Sequence, residues 1–123
     1  MAHLLPAAAL LISLGASAAG LPCSIHPKKG IADADLPALA KITQADAEST
    51  ALKAVNISSA SVSNGELEEE GGCLIYSFDI KIPGKKSIIE VAVDAGTGKV
   101  LAKKHESPKE QAAEKAADAA AAK

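Results

Sequence analysis

The 123-residue chain has no tryptophan and only one tyrosine, Tyr76, and one phenylalanine, Phe78. Its core must therefore come mainly from aliphatic side chains, each of which stabilises the fold by about 1.5–3 kcal/mol when fully buried. The net charge is only −2, and basic residues do not cluster with aromatic ones, so nucleic acid is not expected as a partner. A chain of this length has room for one domain.

The sequence also lacks the motifs of catalysis. Residues 96–99 (GTGK) resemble part of a phosphate-binding loop, but a Walker A loop would need glycine at Val93 and serine or threonine at Val100. No G-x-S-x-G segment is present for a nucleophile elbow, and His105 has no acid or nucleophile paired with it in the sequence. Asp94 is better explained as a turn residue than as a base. We therefore predict no enzyme activity, no catalytic residue and no cofactor.

Two runs of alternating apolar and polar residues predict β-strands. Residues 83–86 (PGKK) reverse the chain between the runs, and a second turn leads into a short third run at residues 99–102. The pattern predicts an antiparallel meander with one buried face. The apolar residues predicted on that face are Leu74, Tyr76, Phe78, Ile80, Ile82, Ile89, Val91 and Val93, and the second turn consists of the motif Asp94, Gly96, Thr97 and Gly98.

One helix is predicted to cover this sheet. Thr43 and Asp46 form a start that resembles a capping box, and apolar side chains recur at helical spacing through residues 44–55. Most of them are small, which would let the helix approach the sheet closely. We therefore predict an α+β fold in which one N-terminal helix, from Gln44 to Val55, packs on a small antiparallel β-meander.

The segment between the helix and the first run, residues 57–70 (ISSASVSNGELEEE), is β-like but poor in apolar residues. Its best core candidates, Val62 and Leu67, are an odd number of residues apart. They face the same side of a sheet if a bulge interrupts the strand at Asn64-Gly65, which we favour over a hairpin turn there. The acidic run at residues 66–70 suggests a cation site, but strand alternation divides it between two faces and favours a solvated strand end.

The N-terminus has the features of a secretory signal peptide. An apolar run at residues 4–14 precedes the small residues 15–20 (GASAAG), and the run is shorter than the about 20 residues that span a bilayer. We expect residues 1–19 to be removed and the mature protein to start near Ala19 or Gly20. It would then be periplasmic or secreted, without stable membrane insertion.

Residues 20–40 form an arm interrupted by proline and glycine, and we expect this arm to be flexible. Cys23 and His26 have the spacing of half a metal site, but no second ligand pair with suitable spacing follows, so no metal is predicted. The only other cysteine is Cys73. In an oxidising compartment we expect a disulfide between Cys23 and Cys73; the alternative is an intermolecular bridge through Cys23.

Residues 105–123 are predicted to form an alanine-rich helical tail. Ser107, Pro108 and Glu110 are typical of a helix start, because they supply an N-cap, a proline at the first helical position and an N3 glutamate. The helix that follows has no apolar residue larger than alanine. We therefore expect the tail to bury little surface.

Several segments together resemble a known family. They are residues 42–47 (ITQADA), 67–70 (LEEE), 75–80 (IYSFDI) and 90–101 (EVAVDAGTGKVL). They are similar to a PepSY domain over roughly residues 41–104, and VDAGTGKVL is the most specific part. The resemblance implies a helix packed on an antiparallel sheet, in bacterial proteins that are exported or membrane-bound. It also implies a family that has been proposed to restrain peptidases and that has no catalytic residues to transfer.

The missing catalytic motifs and the resemblance together predict an exported, non-catalytic binding or regulatory module. Its protein partner would be an extracytoplasmic peptidase or an envelope protein, and an exposed sheet edge would be the contact. The alternative is a periplasmic redox or metal-handling protein that uses Cys23, His26 and Cys73.

Overall fold

The computed structural model describes residues 23–121, so the predicted signal peptide lies outside the described residues. A 3₁₀ helix (Asp33–Ala38) precedes α1 (Gln44–Val55), β1 (Ser61–Glu70), β2 (Cys73–Lys81), β3 (Ile88–Asp94), β4 (Val100–Glu106) and α2 (Pro108–Ala121). The strands form one antiparallel sheet in the order β1-β2-β3-β4. The predicted α+β fold is confirmed. Within residues 23–121, no helix is long and apolar enough to cross a membrane.

Helix α1 packs on one face of the sheet, which we call the inner face. Thr43 caps the helix, because its side-chain oxygen accepts a hydrogen bond of 3.1 Å from the amide of Asp46. Asn56 ends it in the left-handed conformation, with φ 57°. Ala47 and Ala51 are completely buried. The predicted capping residue and the predicted small-residue contact with the sheet are therefore both present.

The inner face carries the main hydrophobic core. The alternation in the sequence predicted it correctly, and the hydroxyl of Tyr76 remains satisfied by donating a hydrogen bond of 2.8 Å to the carbonyl of Ile42. A smaller cluster forms elsewhere around Cys73, Ile75 and Leu101. The buried strand residues of the main core are Leu74, Tyr76, Phe78, Ile80, Ile89, Val91 and Val93, and Ile82 is partly buried against them.

Strand β1 is a single strand with a bulge. Its register with β2 shifts by one residue at Ser63, and this extra residue changes which face the following side chains occupy. Val62 and Leu67 consequently both pack against the core. A bulge within one strand was predicted, and it lies one residue before the predicted position at Asn64-Gly65.

Gly65 leaves room for the ring of Phe78 on the neighbouring strand. A Cβ atom added to Gly65 would lie 2.8 Å from Cδ1 of Phe78 and 2.9 Å from Cε1. The ring is fully buried, so it has little space to move away. We expect Gly65→Ala to lower the free energy of unfolding by about 1–3 kcal/mol, the usual cost of overpacking a core, as measured by urea unfolding.

Two further variants control this prediction. Ser61→Ala, at the exposed start of the same strand, should change stability little. Phe78→Leu should reduce the additional cost of Gly65→Ala, because the smaller side chain leaves space for the new methyl group. Equal stability of Gly65→Ala and the wild type would show that the strands adjust freely and would contradict the prediction.

The N-terminal arm packs against the domain, contrary to the expected flexibility. Leu36 in the 3₁₀ helix is only 1% exposed and belongs to the main core. The carbonyl of Ile25 accepts a hydrogen bond of 3.0 Å from the amide of Leu74 in β2. The described part of the arm, residues 23–40, is therefore a structural part of the domain.

Helix α2 begins with the predicted capping box. The amide of Ser107 donates to Oε1 of Glu110 at 2.9 Å, and the amide of Glu110 donates to the hydroxyl of Ser107 at 3.2 Å. These hydrogen bonds hold the pKa of Glu110 below its usual value. None of the described side chains of α2 is fully buried, as expected for an alanine-rich helix.

The tail is expected to add little to the stability of the domain. In buffer without divalent cations, deletion of residues 107–123 should leave the thermal midpoint nearly unchanged, because α2 buries almost no apolar surface. The helical circular dichroism signal should fall. A decrease of about 10 °C in the midpoint, which corresponds to more than about 1 kcal/mol in a domain of this size, would show that the tail stabilises the core.

Candidate functional site

Cys23, His26 and Cys73 come together at the start of β2. The two cysteines form a disulfide with their Cα atoms 6.0 Å apart, the intramolecular pairing expected from the sequence. Nδ1 of His26 lies 3.7 Å from the sulfur of Cys23 and 3.0 Å from the carbonyl oxygen of Gly72. The predicted pairing of the two cysteines, with His26 three residues after Cys23, had already indicated that these residues could be neighbours. Cysteine binds a metal only as a thiolate. The disulfide therefore leaves only the histidine available as a ligand here.

Asp94 organises the predicted turn motif and also fixes the arm. Its carboxylate accepts hydrogen bonds from the hydroxyl of Thr97 at 2.7 Å and the amide of Gly96 at 3.1 Å. The amide and hydroxyl of Ser24 in the arm donate to the same carboxylate, at 3.2 and 3.0 Å. Burial alone would raise the pKa of Asp94, but these hydrogen bonds outweigh it and hold the pKa below its usual value. Gly98 completes the turn with φ 81°.

Acidic side chains collect on the sheet face opposite α1, which we call the outer face. After the bulge, alternate residues of β1 point to this face, so the acidic run is divided between two faces as predicted: Glu66, Glu68 and Glu70 lie on the outer face, and Glu69, which pairs with Leu74, lies on the inner face. Glu66, Glu68 and Glu70 occupy every second position of the sequence, and this spacing was the signal that the three would share one face of the sheet. With α2, the outer face forms an open cavity of about 710 Å³, whose acidic lining includes Glu66, Glu68, Glu70, Asp79, Glu90, Glu106 and Glu114.

The pKa of Glu68 on the outer face is strongly raised. Burial is the largest cause of this raised pKa. The hydrogen bond with Glu70 and the charges of Glu70, Glu66 and Glu90 raise it further, to about 9. Ordinary glutamates titrate near pH 4.3, so the environment of Glu68 favours its neutral form over a much wider pH range.

The pKa values of Glu90 and Glu106 are also raised. Burial, followed by the charges of Glu114 and Glu106, raises the pKa of Glu90 to about 8. Burial raises the pKa of Glu106 as well, although the charge of Lys104 opposes this change. The charges that act on Glu68 and Glu90 are those of other carboxylates, so burial and like charges together favour the neutral forms of these two groups.

Strands β1 and β4 form the two edges of the sheet. The 3₁₀ helix contacts β1, yet none of the side chains in this ten-residue strand is fully buried. Strand β4 is shorter, with seven residues, two of them buried, and it leads directly into α2. Edge strands offer unpaired backbone N–H and C=O groups to an extended segment of another chain. Strand β1 is therefore the longer edge and the one with the more exposed side chains.

A family model decides how the fold is classified. The model of PepSY, described as the peptidase propeptide and YPEB domain, matches residues 41–104, a range that contains α1 and strands β1 to β3. The chain belongs to the PepSY family. Comparisons with the curated proteins and with the solved structures give no match.

The site residues divide between the PepSY domain and the segments around it. Glu68, Glu90 and Asp94 lie within the matched residues, whereas Cys23 and Glu106 lie outside them. The disulfide therefore ties the arm to the PepSY domain. PepSY domains are typically propeptide or regulatory modules without catalytic activity and commonly interact with peptidases or other proteins, which is compatible with a non-catalytic regulatory role.

The raised pKa values of the outer face predict that the PepSY domain loses stability as pH rises. A carboxyl group whose pKa is higher in the folded state contributes its full stability below the unfolded value and loses it as pH rises through the folded value. The folded values of Glu68 and Glu90 are about 9 and about 8. In buffer with a chelator, we therefore expect the thermal midpoint to fall between about pH 5 and about pH 9.

Matched variants assign this pH dependence to the outer face. Glu68→Gln should flatten the profile, because the amide cannot ionise. Glu48→Gln, on α1 and away from the outer face, should leave the profile unchanged. A midpoint that stays constant or increases over this pH range would contradict the prediction.

Proposed function

We propose that this PepSY protein is an exported, non-catalytic binding module that restrains an extracytoplasmic peptidase or binds another envelope protein. The family supports a regulatory role with a protein partner. The observation that carries the proposal is β1, an edge strand of ten residues without a fully buried side chain. Such an edge is a binding surface for an extended segment of another protein.

The proposed contact adds a strand of the partner to the edge of the sheet. Main-chain hydrogen bonds would supply most of the affinity, and side chains would supply selectivity. Alternate side chains of the added strand would lie beside Glu66, Glu68 and Glu70 on the outer face. We therefore infer a partner segment with basic residues at alternate positions. We expect micromolar affinity or tighter, a binding free energy of about −8 kcal/mol.

A pair of proline variants in β1 tests this contact. In an antiparallel edge strand, successive N–H groups point alternately to the neighbouring strand and outward. Of Glu68→Pro and Glu69→Pro, we therefore expect one to destabilise the sheet and the other to keep the fold. The variant that keeps the fold should lose the partner captured by mature protein from the envelope fraction of the source cell, and should lose inhibition when that partner is a peptidase.

Alanine variants at the same positions separate the backbone from the side chains. Glu68→Ala and Glu69→Ala keep both N–H groups, so they should retain most of the binding. Equal binding by all four variants would exclude β1 as the contact. Turnover of a substrate by the mature protein would contradict the non-catalytic role.

The redox or metal-handling alternative has one observation in its favour: ligand atoms of Cys23, His26 and Cys73 lie within 4.8 Å of one another. It requires reduction of the disulfide, because two thiolates must become available for a metal. Thiol titration and metal analysis of mature protein distinguish the two functions. Two free thiols in denatured, unreduced protein, together with a stoichiometric metal ion, would favour the alternative.

A further inference from the structure

Three glutamates from different elements converge at one end of the outer face. Glu90 lies in β3, Glu106 ends β4, and Glu114 lies in α2. The register pairs Ile88 with Glu106 and Glu90 with Lys104, so Glu90 and Glu106 are diagonal neighbours on the same face. One carboxylate oxygen from each of the three glutamates lies within 4.8 Å of the other two.

Two of these carboxyl groups are buried with an unsatisfied oxygen. Glu106 is 2% exposed and Glu90 is 9% exposed, and the Oε1 atom of each has no hydrogen-bond partner. Their other partners are few: the hydroxyl of Ser77 lies 3.4 Å from Glu90, and Nζ of Lys104 lies 3.9 Å from Glu106. The two carboxyl groups also hydrogen-bond to each other when one of them carries a proton. A buried polar group without a partner costs about 1–3 kcal/mol, and more when it is charged. Because both residues line the cavity, this deficit points to a cationic ligand there.

We propose that Glu90, Glu106 and Glu114 bind a divalent cation that prefers oxygen ligands, and that this ion is Ca²⁺. Calcium holds its oxygen ligands at about 2.3–2.6 Å, so two ligands of one ion lie no more than about 5 Å apart. The separation of the three carboxylates is within this limit. With no cysteine or histidine among them, the three ligands do not suit the softer metals.

The shape of the site favours calcium over magnesium. Three carboxylates can supply up to about six oxygens to Ca²⁺, which accepts bidentate ligands and irregular geometry. Magnesium requires near-ideal octahedral geometry and is usually bound by one or two carboxylates with several waters. The cavity of about 710 Å³ is open to solvent water, which can complete the coordination of the larger ion.

Calcium would also give α2 a structural role that its alanine-rich surface does not supply. Gln111 of α2 donates hydrogen bonds of 3.3 Å to the carbonyls of Lys86 and Glu106. Glu114 lies one helical turn further along α2. An ion held by Glu114 together with Glu90 and Glu106 would fix the helix on β3 and β4.

Calcium titration of the full mature chain tests the site. After treatment with a chelator and its removal, isothermal titration should show one Ca²⁺ per chain with a dissociation constant of about 10⁻³ M or tighter. The thermal midpoint should rise with Ca²⁺ concentration. Glu90→Gln, Glu106→Gln and Glu114→Gln should each weaken binding at least about tenfold, because each removes a charged ligand. Glu48→Gln on α1 should bind as the wild type does.

Truncation and a second ion complete the test. A chain that ends at Glu106 should lose most of the Ca²⁺ effect, because it lacks Glu114. Mg²⁺ at the same concentration should stabilise the protein less than Ca²⁺. The proposal is overturned by the absence of binding at about 10 mM Ca²⁺, by equal effects of the two ions, or by equal binding of all four glutamine variants. The first result would mean that protons alone neutralise the cluster.

Discussion

Replacing Cys23 and Cys73 with serine is expected to lower the free energy of unfolding by about 4 kcal/mol. The disulfide joins residues 50 positions apart, and closing a loop of this length removes a corresponding amount of entropy from the unfolded chain. For a domain of this size, the loss corresponds to a decrease of more than about 15 °C in the thermal midpoint. Thermal unfolding of the double variant, and of the wild type with and without reductant, measures the effect.

The environment of the disulfide predicts what accompanies this loss. The arm would remain attached through hydrogen bonds from Ser24 to Asp94 and through the buried side chain of Leu36. Ser24→Ala removes one of these hydrogen bonds and serves as the control, with an expected cost of about 0.5–1.5 kcal/mol. An unchanged midpoint in the double variant would mean that the bridge does not constrain the mature protein. A dimer of the wild-type protein that dissociates in reductant would reveal an intermolecular bridge.

Phe78→Ala is expected to destabilise the domain by about 3–5 kcal/mol, the usual cost of removing a buried phenylalanine. Phe78 is completely buried and heads the largest fully buried side chains. Its ring stacks near that of Tyr76, with the centroids 6.3 Å apart. Because no tryptophan and no other phenylalanine is present, few large side chains are available to fill the cavity. Urea unfolding should show the loss.

Val100→Ala is the matched control for this truncation. Val100 is 39% exposed, so its substitution should change stability by less than about 0.5 kcal/mol. A similarly small effect for Phe78→Ala would show that the core collapses around the missing ring. Such a result would contradict the close packing of Phe78 against Gly65.

Local sequence signals determined the elements of this protein. Thr43 and Ser107 mark helix starts because their side chains satisfy amide groups that the helix leaves unpaired. Alternation identified the buried face of β2 and β3, because successive side chains of a strand point to opposite faces. The odd separation of Val62 and Leu67 favoured a bulge in β1 over a hairpin turn, and the structure has the bulge. These features depend on residues close together in the chain, so the sequence alone was sufficient to predict them.

The features that depend on residues far apart in the sequence were decided by the tertiary structure. The arm is held by Leu36 and by hydrogen bonds from Ser24 to Asp94, 70 positions away, and no local pattern encodes that distance. The convergence of Glu90, Glu106 and Glu114 arises in the same way, because strand register and the direction of α2 bring the three carboxyl groups together. The raised pKa values of Glu90 and Glu106 follow from burial and from neighbouring negative charges, neither of which exists until the chain has folded.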